Sequence, residues 1–349
     1  MSATNSPQAA KPIRLSVPGV LDILLVSDPA QIQFLNQHVD VVRPLDPAAS
    51  WLHRILDGRL RRDLDFGGPL PVFLPRKDEA RADRQLQLAK DLEDMRGAPG
   101  LDRDEIGDYI SGKRPLTEIG AAVERWYHKL LSIKPRAHED EDDIGVIVQR
   151  WCGHLFSAYY KSDRESYEAG KLLAGWASAP PWQTIADRLT GKLTRAKQKL
   201  SSAAQNDRHC IHATSIGMEN VAKTVRNLRQ TAQHGDTTNL SPDDALRACL
   251  AAPPAVLRGV AADVNAPFLD KPLTKRSLVV FLVARAFRAS GEIDVAFLAD
   301  GWSACPAHEV IPEMLRGVWH AAHHESDVEK TLSLLGINAW SRLFHRAAS

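Results

Sequence analysis

The chain has 349 residues, of which 44% are hydrophobic and 25% are charged, and its formal net charge at pH 7 is +1. These values are typical of a globular protein, and the balanced charge provides no electrostatic attraction for nucleic acid or for an acidic membrane surface. The four cysteines include no CxxC pair and no zinc pattern, which is typical of a reducing, cytoplasmic compartment. No apolar run approaches the roughly 20 residues of a membrane span, so we expect no membrane anchor.

The N-terminal part of the chain predicts a small β component and one helix. Residues 1–12 are small and polar and are expected to form a disordered tail. The segments IRLSV and VLDILLVS predict one or two short strands, and SDPAQIQFL predicts a helix capped by Ser27 or Asp28. Residues 41–75 are rich in Pro, Gly and Arg, which favours irregular structure, and a charged helix that mostly faces water is expected over about 76–95.

Two long helices are predicted in the middle of the chain. Apolar residues at i, i+3, i+4 and i+7 indicate an amphipathic helix over Ile144–Tyr159, with Cys152 in its core-facing stripe. A second helix is expected over Cys210–Ala232. Gly217 lies in its interior, where a glycine costs about 1 kcal/mol relative to alanine, so some feature of the fold must need the space. The basic segment 185–200 is interpreted as a solvated face.

The C-terminal third combines short helices, an apolar segment and a cysteine at a helix start. A helix is expected from Ser241 or Asp243 to Leu250, and the apolar segment RSLVVFLVARAF is compatible with either strand or helix. In GWSACPAHEV, Cys305 precedes a helix predicted over 306–324. A helix N-terminus stabilises a thiolate, so this cysteine is a candidate nucleophile, metal ligand or small buried hydrophobe. Helices dominate, and the predicted fold class is mainly α with a small β component.

Several of these patterns, taken in order, resemble the C-terminal half of the cytochrome P-450 family of haem-thiolate proteins. The resemblance is carried by SIGMEN in the second long helix, then by DALRACLAAPPAVLR, TKRSLVVFLVARAFR and DGWSACPAHEV. It implies a trimmed cytochrome P-450-like fold, a single haem domain over 13–349, and haem b as the iron cofactor.

The resemblance also assigns roles to individual residues. Asp244 and Arg247 match an acid and an arginine, three apart on one helix, that lock the structure behind the haem. Arg258 matches a basic residue that reaches a haem propionate, and Cys305 is the expected axial ligand of the haem iron. Further residues of the cysteine loop are expected to approach the macrocycle or to fix the turn into the helix: Gly301, Trp302 and Pro306.

On the distal side of the haem, the resemblance points to Gly217, Glu219 and Asn220. Oxygen-activating members of the family carry an acid followed by a threonine, which relay protons, whereas here Asn220 stands in the second position. An amide donates a hydrogen bond but is a poor proton carrier. We therefore expect a haem-thiolate enzyme that uses or rearranges a peroxide or hydroperoxide with a small hydrophobic organic substrate. The alternatives are a monooxygenase dependent on a ferredoxin-type redox partner, and a degenerate, non-catalytic member that acts as a binding or accessory protein.

Three interpretations without haem compete with this one. Cys305 and His308 lie close enough in sequence for a thiolate–imidazolium pair in a cysteine enzyme. The segment GWSAC nearly spells the nucleophile elbow of a hydrolase, although the alternating strand–helix pattern of that fold is missing. A zinc site is compatible with a C-terminal cluster of His320, His323, His324 and Glu325.

Overall fold

The computed structural model describes residues 10–18, 21–42, 45–63, 66, 140–154, 160–175, 179, 181–233, 240–299, 308, 311–312 and 314–319. Several predictions lie outside these residues, namely the helix over 76–95, the zinc cluster over 320–325, and the haem-loop residues Gly301, Trp302, Cys305 and Pro306.

In the described residues, a five-stranded sheet combines three strands from the N-terminal part of the chain with two strands from the C-terminal third. Its strands are β1 (Ile13–Val17), β2 (Leu21–Val26), β3 (Val41–Val42), β4 (Val256–Val260) and β5 (Leu278–Phe281). They lie in the order β1-β2-β5-β4-β3, and only the β2–β5 pair is parallel. Both predicted N-terminal strands are confirmed, and the segment RSLVVFLVARAF divides into strand β5 and a helix that begins at Val283.

Helices make up most of the remaining described structure. In chain order they are α1 (Pro29–Gln37), α2 (Trp51–Asp63), α3 (Asp140–His154), α4 (Arg164–Ala174), α5 (Pro181–Leu189), α6 (Lys192–Ala203), α7 (Arg208–His212), a π-helical segment (Ala213–Gly217), α8 (Met218–Gln233), α9 (Pro242–Cys249), α10 (Val283–Ser290) and α11 (Ile293–Phe297). Of the helix predicted over 306–324, residues 311–312 and 314–319 are helical, whereas His308 lies in a turn, so the prediction is wrong at that residue. No helix of the described residues is long and apolar enough to cross a membrane.

Local capping chemistry explains where several helices begin. The carboxylate of Asp28 accepts a hydrogen bond from the backbone N–H of Gln31, and Pro29 occupies the first turn of α1, as predicted. Ser241 caps α9 in the same way. Helix α3 begins at Asp140, inside an acidic run of the sequence.

The prediction of irregular structure over 41–75 is wrong for residues 41–42 and 51–63, whereas residues 67–75 lie outside the described residues. This stretch contains strand β3 and the 13-residue helix α2. Its prolines and glycines flank the helix, with only Gly58 inside it. The average composition of the segment therefore predicted irregular structure where the residues between the prolines form a helix. Among the side chains of α2 that the structure describes, over 51–59, the buried ones are His53 and Asp57, four apart. An apolar-periodicity criterion does not detect a helix with such polar buried residues.

Within the described residues, the largest hydrophobic core lies among α3, α8, α9 and the helical residues 311–312 and 314–319. Cys152 of α3 is buried there, as predicted. The described part of the C-terminal helix contributes residues at i, i+3, i+4, i+7 and i+8, which place one apolar face in this core: Ile311, Met314, Leu315, Val318 and Trp319. A second core lies between the sheet and helices α1 and α10, and a third among α4, α6 and α7.

Candidate active site

The predicted helix over Cys210–Ala232 is confirmed, but a π-helical segment interrupts it. The five residues Ala213–Gly217 join α7 to α8 with a wider turn. Side chains bond to the backbone here, since Thr214 Oγ1 donates to the carbonyl of Cys210 at 2.7 Å and Ser215 Oγ to that of Ile211 at 2.5 Å. Wide turns of this kind are rare in helices and occur often at functional sites.

Gln149 of α3 holds the π-helical segment in place. Its Nε2 donates to the carbonyls of Ser166 at 2.8 Å and Thr214 at 2.9 Å, and its Oε1 accepts from Ser166 Oγ at 2.9 Å. The side chain is completely buried. One amide therefore ties together α3, the start of α4 and the π-helical segment.

Two glycines control the space around this segment. A β-carbon at Gly170 of α4 would lie 2.7 Å from the carbonyl oxygen of Thr214, so α4 can approach the segment only because it carries a glycine there. A β-carbon at Gly217 would meet no atom within 4 Å, and this residue is exposed. The face of the helix at Gly217 therefore borders open space.

The acid and the amide that follow the segment have different surroundings. The Glu219 carboxylate accepts a hydrogen bond from the Tyr167 hydroxyl of α4 at 3.3 Å and is 17% exposed. Asn220 is partly exposed, and its carbonyl accepts from Thr224 Oγ1 at 2.8 Å. Thr224 Oγ1 in turn accepts from the backbone N–H of Ala251, in the connection between α9 and β4, at 2.9 Å.

Arg258 lies in the middle of β4 and is only 2% exposed. Its Nη1 donates to the carbonyl of Leu257 at 2.8 Å, and its guanidinium lies 5.6 Å from the ring centroid of Phe281 on β5. A cation withdrawn from water is costly unless an acceptor or an anion compensates it. This position therefore suits a residue that pairs with a carboxylate.

Asp244 and Arg247 form an ion pair at the surface of α9. Their side chains are 52% and 50% exposed, and Arg247 Nη1 lies 3.0 Å from Asp244 Oδ1. Hydrogen bonds from Ser241 and Arg247 lower the pKa of Asp244. A pair this exposed contributes little stability by itself.

The three cysteines within the described residues are unsuited to act as thiolates. Cys152, Cys210 and Cys249 are buried. Burial raises the pKa of Cys210 strongly and that of Cys249 to a smaller extent. Buried, protonated thiols are inert as nucleophiles and ligands. Cys305, the predicted haem ligand, lies outside the described residues.

Comparison with known proteins identifies the fold. No protein-family model and no curated protein matches the chain. Solved structures do match: CYP175A1 of Thermus thermophillus aligns over 89% of this chain and 83% of its own, with 12% identity and a TM-score of 0.55. CYP154A1 of Streptomyces coelicolor A3(2) aligns over 90% and 85%, with 15% identity and a TM-score of 0.53. The chain has a cytochrome P450 fold. CYP164A2 of Mycobacterium smegmatis, at 13% identity, covers 89% of this chain and 86% of its own, with a TM-score of 0.52.

The matched P450 structures agree with the fold class predicted from the sequence. The predicted mainly helical architecture with a small sheet is confirmed. Gly217 is the last residue of the π-helical segment, and Glu219 and Asn220 lie in the first turn of α8. Sequence reasoning missed Gln149 and Tyr167. The only local signal for Gln149 was a polar residue three positions before Cys152 of the apolar stripe of α3, and Tyr167 gave no signal at all.

Proposed function

We propose that the protein is a haem-thiolate enzyme that uses or rearranges a peroxide or hydroperoxide with a small hydrophobic organic substrate. The observation that carries the proposal is the π-helical segment, which in a P450 fold precedes Glu219 and Asn220 and leaves open space at Gly217. An amide follows the acid where a hydroxyl would serve a proton relay. The haem domain is proposed to extend over residues 13–349.

Among the described residues, Arg258 fits a haem-binding role. The buried guanidinium of Arg258 suits a propionate carboxylate, because a charge-assisted hydrogen bond compensates the loss of water. We assign the axial thiolate to Cys305, which lies six residues before the helical residue Ile311 of the main core. We also assign the proximal loop to Gly301, Trp302 and Pro306. When bound, haem b supplies the redox chemistry that activates a peroxide.

The distal residues of this chain define what the protein contributes. Glu219 can hold and move a proton at its carboxylate, whereas the Asn220 amide can donate a hydrogen bond to an oxygen atom of the peroxide and orient it without carrying protons. Gly217 leaves room beside them. Chemistry that begins from a peroxide needs neither electrons from a partner nor a continuous proton relay, and this set of residues is sufficient for it.

One observation favours a second candidate. Glu219 is retained and hydrogen bonded, so a monooxygenase that receives electrons from a ferredoxin-type partner is the alternative activity.

The surface position of Asp244 and Arg247 suits a third possibility, a degenerate binding or accessory protein, because an exposed pair makes a weak structural lock.

Absorption spectroscopy tests the proposal. The purified, haem-loaded protein should show a Soret band, and the reduced protein with carbon monoxide should show the thiolate-shifted band. Cys305→Ala should abolish the shift, whereas Cys249→Ala, which changes a buried thiol, should retain it. A protein that takes up no haem would refute the proposal. Product formation with a hydroperoxide, compared with oxygen plus an electron donor, then separates the two activities.

A further inference from the structure

Tyr167, Arg226 and Glu219 form a polar cluster between α4 and α8. Tyr167 is fully buried, and its ring packs directly on Gly145 of α3, where any β-carbon would overlap it. This packing fixes the ring, so the hydroxyl has a defined position. The side chains of Arg226 and Glu219 are each 17% exposed, which leaves the cluster largely shielded from water.

The donor chemistry of Arg226 sets the direction of the hydrogen bonds. Its Nη2 lies 2.6 Å from the Tyr167 oxygen, and a guanidinium can only donate. The tyrosine oxygen therefore accepts from Arg226, and its single proton is directed to Glu219 Oε2 at 3.3 Å. Burial raises the pKa of Tyr167, which keeps the phenol protonated and able to donate. Lys223 Nζ lies 3.7 Å from the other carboxylate oxygen of Glu219.

The contacts of α8 place Glu219 and Asn220 on different faces. Glu219 faces α4 through Tyr167, whereas Thr224, one turn after Asn220, contacts Ala251 beyond α9. Successive helical residues point about 100° apart. The short side chain of Asn220 has few conformations, so the helix backbone largely fixes its direction. The longer, flexible side chain of Glu219 needs partners to hold one conformation.

We propose that Tyr167 and Arg226 are positioning residues that hold the Glu219 carboxylate in one orientation at the end of the π-helical segment. The inference rests on the proposed function, since Glu219 is the group that handles protons there. Loss of the tyrosine hydroxyl leaves the ring in place over Gly145 but removes its hydrogen bond to the carboxylate, which keeps the looser contacts with Lys223 at 3.7 Å and Arg226 at 4.0 Å. Proton transfer then slows, because misplacement of a reacting group by about 1 Å costs up to about 100-fold in rate.

A kinetic double-mutant cycle on the haem-loaded protein tests this directly. The measured quantity is kcat per haem with hydrogen peroxide and a chromogenic phenol. Tyr167→Phe should lower kcat about 10-fold when Glu219 is present and less than about 2-fold in the Glu219→Gln background. Tyr160→Phe is the matched control, since Tyr160 is 1% exposed and packs on Gly153 in the same way. Its hydroxyl lies near Thr214 and Ser166 and not near Glu219, so any loss of kcat should be equal in the two backgrounds. An equal loss from Tyr167→Phe in both backgrounds, or no loss in either, overturns the proposal.

Infrared difference spectroscopy provides a measurement that is independent of haem and turnover. The carboxylate band of Glu219, identified by its loss in Glu219→Gln, should shift in Tyr167→Phe and stay unchanged in Tyr160→Phe. Arg226→Lys keeps a positively charged hydrogen-bond donor at this position, and it should preserve the wild-type band better than Arg226→Met, which has none. If the protein binds no haem, the proposed function fails while this spectrum still tests the cluster. A band that does not shift in Tyr167→Phe overturns the positioning role.

Discussion

Gln149 provides a quantitative test of how the π-helical segment is held. Replacing it with methionine keeps the approximate size and shape of the side chain and removes both polar groups. The carbonyls of Ser166 and Thr214 then lose a buried donor, 2.8 and 2.9 Å away in the native protein. A buried acceptor left without its partner costs about 1–3 kcal/mol. The two carbonyls together predict a loss of about 2–6 kcal/mol, out of a total stability of about 5–15 kcal/mol for a typical protein.

Urea denaturation followed by far-ultraviolet circular dichroism measures this loss as a change in the free energy of unfolding. The matched control is Gln31→Met in α1, since Gln31 is 7% exposed and its Nε2 donates only to Ala10, near the N-terminus, at 3.2 Å. We expect the control to lose less than about 1 kcal/mol. If Gln149→Met is no less stable than the control, the π-helical segment does not depend on the amide, and the reasoning is wrong.

Three further predictions concern packing, pH and the cofactor. Gly170→Ala should lower the free energy of unfolding by about 2 kcal/mol through its clash with a backbone oxygen, whereas Gly58→Ala, where a β-carbon meets nothing within 4 Å, should raise it by about 1 kcal/mol in the same urea titration. Burial alone would raise the pKa of Asp22, but hydrogen bonds from Arg14 and a serine lower it overall. The contribution of Asp22 to the free energy of unfolding is therefore complete above about pH 4 and is lost as the pH falls further. Asp22→Asn should destabilise the protein at pH 7 and much less at pH 3, measured by parallel melts at the two pH values. Arg258→Met should speed the transfer of haem to apomyoglobin by about 10-fold or more, and an unchanged rate would remove Arg258 from the haem site.

Features that depend on local chemistry were predictable from the sequence. Asp28 caps α1, and Cys152 lies in a stripe with helical spacing, because both properties depend on neighbours within one or two turns. The mainly helical fold with a small sheet follows from the same local patterns. The resemblance to P450 proteins rested on short motifs in a fixed order, and the structural neighbours confirm the fold that those motifs imply.

Features that depend on distant contacts were not predictable. Gln149 acquires its role because Thr214, 65 residues later, presents a carbonyl to it. Tyr167 meets Glu219 across 52 residues. Neither pair leaves a periodic pattern, so a single sequence contains no sign of them. Helix α2 was missed for a different reason, since its buried residues are polar and the prolines around it dominated the local composition.

The parallel pairing of β2 with β5 has a consequence for how the protein is made. Ile23 lies opposite Leu278, so more than two hundred residues are synthesised before β2 can acquire that neighbour. At a typical ribosomal rate of about 5–20 residues per second, this interval is on the order of 10–50 s. During that time the β1–β2 hairpin has an unpaired edge, which invites association between nascent chains. We therefore expect the yield of folded protein in cells to rise when chaperones that shield nascent chains are co-expressed.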